Sequence, residues 1–213
     1  MVSTAARRRK PAEDSRDRVL RAAAAEFAAR GYAGANVDRI ARSARLNKAM
    51  IYYHFGSKAA LYRAIIADMF GAVEARVREV ATTAASPDAK LRAFVDTIAA
   101  EAEARPHFPP IWLREVAEGG PHVDTSTLRY ARGVIETLAA IIDEGCAAGM
   151  FVPVNPVLAH GGIIAPLMFF IAIGRLRGKL ERAGVRGVEE LSRDVIVTHI
   201  QRVALAILQG RIS

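Results

Sequence analysis

Residues 36–58 read Asn-Val-Asp-Arg-Ile-Ala-Arg-Ser-Ala-Arg-Leu-Asn-Lys-Ala-Met-Ile-Tyr-Tyr-His-Phe-Gly-Ser-Lys, and this stretch decides the fold. Asn36 is placed to cap a short helix whose buried side is Val37, Ile40, Ala41 and Ala44. Asn47 is placed to cap a second short helix that ends near Phe55–Gly56, and Ser57 to cap the next. Two short helices joined by a tight turn make a helix-turn-helix. At about 100° per residue, Ile51 and Phe55 share the inner side of the second helix, with Asn47 and His54 beside them. The opposite side is centred on Ala49 and Tyr53 and flanked by Lys48, Tyr52 and Met50. Two tyrosines, a lysine and a methionine suit a DNA groove better than plain solvent. Lysine reaches guanine acceptors or phosphate, alanine or methionine meets thymine methyls, and tyrosine hydroxyls reach phosphates.

The preceding segment supplies a brace. A helix from about Ser15 to Arg30 carries an apolar stripe of Leu20, Ala23, Ala24, Phe27 and Ala28, and Gly31 stops it. The run from Arg18 to Leu61 resembles the DNA-binding domain of the TetR family. The matching pieces are Ala23 and Phe27, Gly31–Tyr32, Ile40–Ala41 and above all Ile51-Tyr52-Tyr53-His54-Phe55-Gly56-Ser57-Lys58. The resemblance implies a three-helix head with Lys58 and Tyr52 on phosphates and residues 48–50 and 53 near bases. It also implies a larger helical body that dimerises through its last two helices and holds a small-molecule pocket. Two positions depart from the family's habit: Arg45 stands in the turn where glycine is common, and Ala49 where glycine or another small residue is common. A positive φ at Arg45 would strain that turn.

Charge agrees with this division. The 213-residue chain has a formal net charge of +8. Residues 1–65 hold 14 Lys/Arg against five acids, and the remainder 16 against 17. All the positive excess lies in the first third, the mark of a polyanion-binding end. Arg7–Lys10 reads as a solvated tail, with an arm along phosphates or in the minor groove as the alternative.

The rest reads as helix throughout, without an alternating strand. Expected helices are Lys58 to about Ala81, one opened by Ser86-Pro87-Asp88 and broken by Pro106, a short one carrying Ile111, Trp112 and Leu113, Asp124 to about Ala148 with Leu128, Ile135, Leu138, Ile141 and Ile142 on one side, Asn155 to about Arg177, and Val188 to about Gln209. Phe151 to Gly174 contains no charged residue, and Val157–Ile173 has the length of a membrane span. Pro153, Asn155, Pro156, His160, Gly161–Gly162 and Pro166 interrupt it, so the preferred reading is a helix buried by the body and a partner subunit.

These readings give an all-α protein with an N-terminal three-helix helix-turn-helix domain and a larger helical ligand-binding and dimerisation domain. The expected division is a basic tail over 1–12, the DNA-binding domain over 13–62 and the effector and dimerisation domain over 63–213. The expected function is a sequence-specific transcriptional regulator, a repressor released from a near-palindromic operator by a small-molecule effector. The candidate DNA contacts are Asn36, Asn47, Lys48, Ala49, Met50, Tyr52, Tyr53, His54 and Lys58. The candidate effector set is Phe94, His107, Phe108, Trp112, Tyr130 and Met168, with Arg114 and His160 as further polar members. No histidine pair has metal-ligand spacing, and no nucleophile-base set or phosphate loop is present, so neither a metal, a cofactor nor an enzyme is expected. Single Cys146 allows no internal disulfide, which with the lack of an apolar leader fits the cytoplasm. An architectural DNA binder, with a specificity ratio near one, is an alternative.

Overall fold

In the computed structural model, which describes residues 11–83 and 85–211, every regular element among them is an α-helix. The chain divides into two compact units, one ending at Ile65 and one beginning at Ile66. Arg7–Lys10 lies outside the described residues.

The first unit holds α1 (Pro11–Gly34), α2 (Val37–Ala44), α3 (Lys48–Phe55) and the first turns of α4 (Lys58–Ala81). Helical backbone already starts at Pro11, ahead of the expected Ser15. Gly31, at φ 67 and ψ 177, breaks α1 where a stop is expected. The buried stripe of α1 is Val19, Ala22, Ala23 and Phe27, with Leu20 on its margin. It is wider than one face because α1 packs on both α2 and α3. Ile40, Ala44, Ile51, Leu61 and Tyr62 complete the interior. The Phe27 and Tyr62 rings meet edge-on with centroids 4.8 Å apart, a favoured aromatic geometry.

The second unit is built from the remainder of α4 with α5 (Pro87–Ala104), α6 (Phe108–Ala117), α7 (Thr125–Ala147), α8 (Pro156–Ala172), α9 (Gly174–Arg182) and α10 (Arg193–Leu208). Its core joins Val73 and Val77, Phe94 and Ile98, Leu138 and Ile141, Leu167 and Met168, and Ile200 and Leu205. Polar clips fix the packing. Lys90 Nζ lies 2.7 Å from a Glu144 carboxylate oxygen, tying α5 to α7. Gln201 donates to Asp96 Oδ2 at 2.8 Å and to the Arg92 carbonyl at 3.1 Å, tying α10 to α5.

Three expected elements differ. The helix expected from Asn155 to Arg177 breaks at Ile173 into α8 and α9. Such a break frees carbonyls at the end of α8. Arg177 satisfies one by donating to Phe170 O at 2.7 Å, while it also donates to Leu191 O at 2.6 Å. The last helix starts at Arg193, not Val188, because Ser192 Oγ accepts the Val195 N–H as an N-cap. Leu128 is exposed, not on the buried side of α7. It sits in the first turn, where Asp124 caps the Thr127 N–H and Thr127 turns inward.

At the end of α7 the chain reverses through Gly149 at φ 67. Met150 N–H donates to Gly145 O and Gly149 N–H to Cys146 O, a Schellman turn. The turn lays Phe151 directly on Gly145, where a Cβ would fall 2.0 Å from the ring. Gly145→Ala is therefore expected to destabilise the fold. Overpacking costs about 1–3 kcal/mol or more and outweighs the roughly 1 kcal/mol that alanine gains over glycine in a helix. Urea denaturation should show a lower midpoint with an unchanged slope; an unchanged or higher midpoint would mean that Phe151 re-seats freely.

A candidate DNA-reading face

Two asparagine caps position α3. Asn36 Oδ1 accepts the Asp38 N–H at 2.7 Å and starts α2. Asn47 accepts the Ala49 N–H and starts α3. The side-chain oxygens of both candidate residues are thus engaged in holding backbone. Between the helices Arg45 takes φ 52 and ψ 46, the single non-glycine positive φ among the described residues. That left-handed turn carries the strain anticipated for a non-glycine residue. Arg18 offsets it from α1, its guanidinium donating to the Arg45 carbonyl at 3.0 Å and to Ala44 O.

Ile51 pins α3 from behind, at 1% exposure. Tyr53, on the opposite side, is 78% exposed. Tyr52, Lys48 and Ala49 are exposed beside it, and Met50 is half-buried at the margin. His54 stands apart from this group. Its Nε2 lies 2.7 Å from Ser15 Oγ, so its ring joins α3 to α1. Arg16 sits 5.3 Å from the centroid of the Phe55 ring and closes the same seam. Neither Ser15 nor Arg16 was expected to matter, since tertiary pairing across some 40 residues leaves no local pattern.

Lys58 opens α4. Its Nζ lies 4.7 Å from the centroid of the Tyr32 ring and 3.4 Å from Ala33 O. Ser57 Oγ caps the same helix by accepting the Ala60 N–H at 3.0 Å. Helix starts at Asn36 and Ser57 therefore both lie in this unit, each with backbone N–H groups suited to an anion. Asp38 is the unforeseen member of the surface. Its carboxylate lies 3.0 Å from Lys48 Nζ, and that hydrogen bond and charge hold the Lys48 ammonium above the usual lysine range. A charge-based reading passes over an acid on a surface meant for phosphates.

The candidate effector residues differ in their surroundings within the second unit. Phe94 and Met168 are sealed in the core. Phe108 and half-buried Trp112 form an aromatic cluster with Phe70, whose ring centroid lies 5.6 Å from Phe108 and 4.8 Å from Trp112. Tyr130 is exposed, and its ring lies against Gly71 of α4. His107 precedes α6 and is half-buried. His160, on α8, is pushed below the ordinary histidine range by burial. Among the described residues, no three His, Cys, Asp or Glu side chains gather as metal ligands.

On the second unit, α8 has one side that its own chain leaves uncovered. Val157, Leu158, Gly161, Gly162, Ala165 and Phe169 are exposed on it. A cavity of about 240 Å³ runs between α8 and α10, lined by Leu158, Gly162, Val203 and Ile207 among others. Among the described residues no single helix is long and apolar enough to cross a membrane.

Known proteins give this geometry a context. Residues 19–65 match the profile described as bacterial regulatory proteins, tetR family. The chain is 31% identical over 146 residues to the HTH-type transcriptional repressor NicS of Pseudomonas putida, covering 68% of this chain and 69% of that protein. It is 27% identical to the HTH-type transcriptional repressor SCO4008 of Streptomyces coelicolor, covering 83% of this chain and 96% of that one. The fold matches the crystal structure of the TetR-family transcriptional regulator PfmR from Thermus thermophilus with a TM-score of 0.70 at 24% identity, over 92% of this chain and all of that one.

Proposed function

This chain belongs to the TetR family of bacterial transcriptional regulators, and from that premise we propose that it is a homodimeric repressor that leaves a near-palindromic operator when a small molecule binds its body. The observation that carries the DNA-reading part is the split character of α3, with Ile51 sealed behind and Tyr53 free in front. Residues 13–62 form the reading head in this proposal, and 63–213 the effector and dimerisation body. Lys48, Ala49, Met50 and Tyr53 face base edges, Tyr52 and Lys58 face phosphates, and Asn36, Asn47 and His54 hold the helices that present them.

A two-fold dimer places its heads about one turn of DNA apart or somewhat more. Supporting the interface is the uncharged outer side of α8, where two glycines permit close approach. Trp112, His107 and Tyr130 are the accessible members of the effector set. An effector shifts DNA binding only by its differential affinity for the two states of the body. Shape and charge favour DNA over turnover chemistry, and the family acts in the cytoplasm, where its operators are.

Selection of bound duplexes from a random pool tests the reading. Recovery of a palindrome with fixed half-site spacing is expected; recovery of no preferred sequence would leave only an architectural binder. Lys58→Ala is expected to weaken binding to every sequence and to lower the salt slope by about one unit for each head. Titration at several salt concentrations measures it, and a parental slope would take Lys58 off the phosphates.

A further inference from the structure

We propose that Asp38 and Lys48 form one reading unit for a G·C base pair, the carboxylate accepting from the cytosine amine and the ammonium donating to the guanine. The inference rests on α3 being the DNA-reading element and names what part of that surface reads. Lys48 Nζ lies 3.0 Å from Asp38 Oδ1 and 3.1 Å from Oδ2. The two side chains come from different helices, each at a first turn fixed by an asparagine cap. They are 47% and 59% exposed, so the pair does not serve packing. Exposed ion pairs contribute little to stability, which leaves its place on the α3 side of the head to be explained.

A carboxylate aimed at DNA is repelled by phosphates unless it meets a donor. The donors in the major groove are the cytosine and adenine amines. Guanine offers two acceptors together and its paired cytosine offers the donor beside them, the complement of a lysine next to an aspartate. An A·T pair sets its one donor between acceptors that would face the carboxylate. The couple is also neutral as a whole. It therefore adds discrimination without adding the sequence-blind attraction that a free lysine gives to any phosphate.

Selection from random duplexes with the parent, Asp38→Ala and Lys48→Met decides the matter. The parent consensus is expected to hold a fixed G·C pair at one position of each half-site. Both variants should lose preference at that position by about tenfold and keep the remainder of the palindrome. Asp38→Ala should in addition bind random duplex more tightly, with a salt slope steeper by up to about 0.9 per head, because Lys48 is released to phosphate. Both residues are exposed, and far-UV circular dichroism checks that each variant is folded. An Asp38→Ala protein that recovers the parental consensus with only its random-duplex affinity raised would overturn the proposal, since the acid would then be a charge screen. So would a folded Asp38→Ala protein that binds no sequence, or variants that relax different positions. If the parent itself recovers no consensus, it is the DNA-reading role of α3 that fails, a result distinct from an unchanged Asp38→Ala consensus.

Discussion

Leu158→Glu is expected to convert the protein to a monomer and to lower its affinity for a full operator by about a hundredfold or more. Leu158 is 73% exposed on α8 and lines the cavity between α8 and α10 with Val203 and Ile207. An exposed leucine on a helix without a single charge makes sense once a second copy covers it. A glutamate there would be buried without a partner, and the desolvation of an unpaired charge costs several kcal/mol. The same substitution in an isolated protomer places the charge in water and leaves the interior untouched. Helix content should therefore survive while light scattering reports half the parental mass. The loss of DNA affinity follows from linkage. Two heads on one dimer bind with an effective concentration that separate heads lack, an advantage of about 10²–10⁴. Single half-site binding should change little. A Leu158→Glu protein that remains dimeric would move the interface away from α8.

Much of the head could be read from residues 36–58, because its signals are local. Asn36, Asn47 and Ser57 each cap the helix that follows them, and the caps sit where the short-range rules place them. The inward position of Ile51 and the outward one of Tyr53 follow from helical period alone. The pairings that finish the surface were not legible. Ser15 to His54 and Arg18 to the Arg45 carbonyl join positions 39 and 27 residues apart. Asp38 was hidden by its sign, since a search for basic contacts discards an acid. In the body the break at Ile173 was missed although Gly174 follows it; the bonds from Arg177 to the Phe170 and Leu191 carbonyls that accompany the break leave no local pattern. The effector set could not be narrowed from sequence for a related reason. Large apolar residues such as Phe94 and Met168 read alike whether they line a cavity or fill a core.

The second large effect belongs to Tyr53. Tyr53→Ala is expected to cost about 1–3 kcal/mol at each half-site, and a dimer reads two of them, so roughly 2–6 kcal/mol in all. Tyr53 touches little that the fold needs: its ring meets only that of His54, edge-on, with centroids 5.2 Å apart, among the aromatic contacts described. Stability should thus stay within a few tenths of a kcal/mol, as for surface changes generally. What separates base reading from backbone contact is where the loss falls. A base reader loses affinity for the operator and leaves random duplex alone, with the salt slope unchanged, because no phosphate charge is released or regained. A phosphate contact loses both together, as expected of Lys58. Tyr53→Phe divides the role further. Retained specificity with the ring alone would assign the contact to the aromatic face against a thymine methyl, whereas a loss equal to that of alanine would assign it to the hydroxyl. Parental operator affinity in Tyr53→Ala would remove Tyr53 from the interface and, with it, the assigned orientation of α3 in the groove.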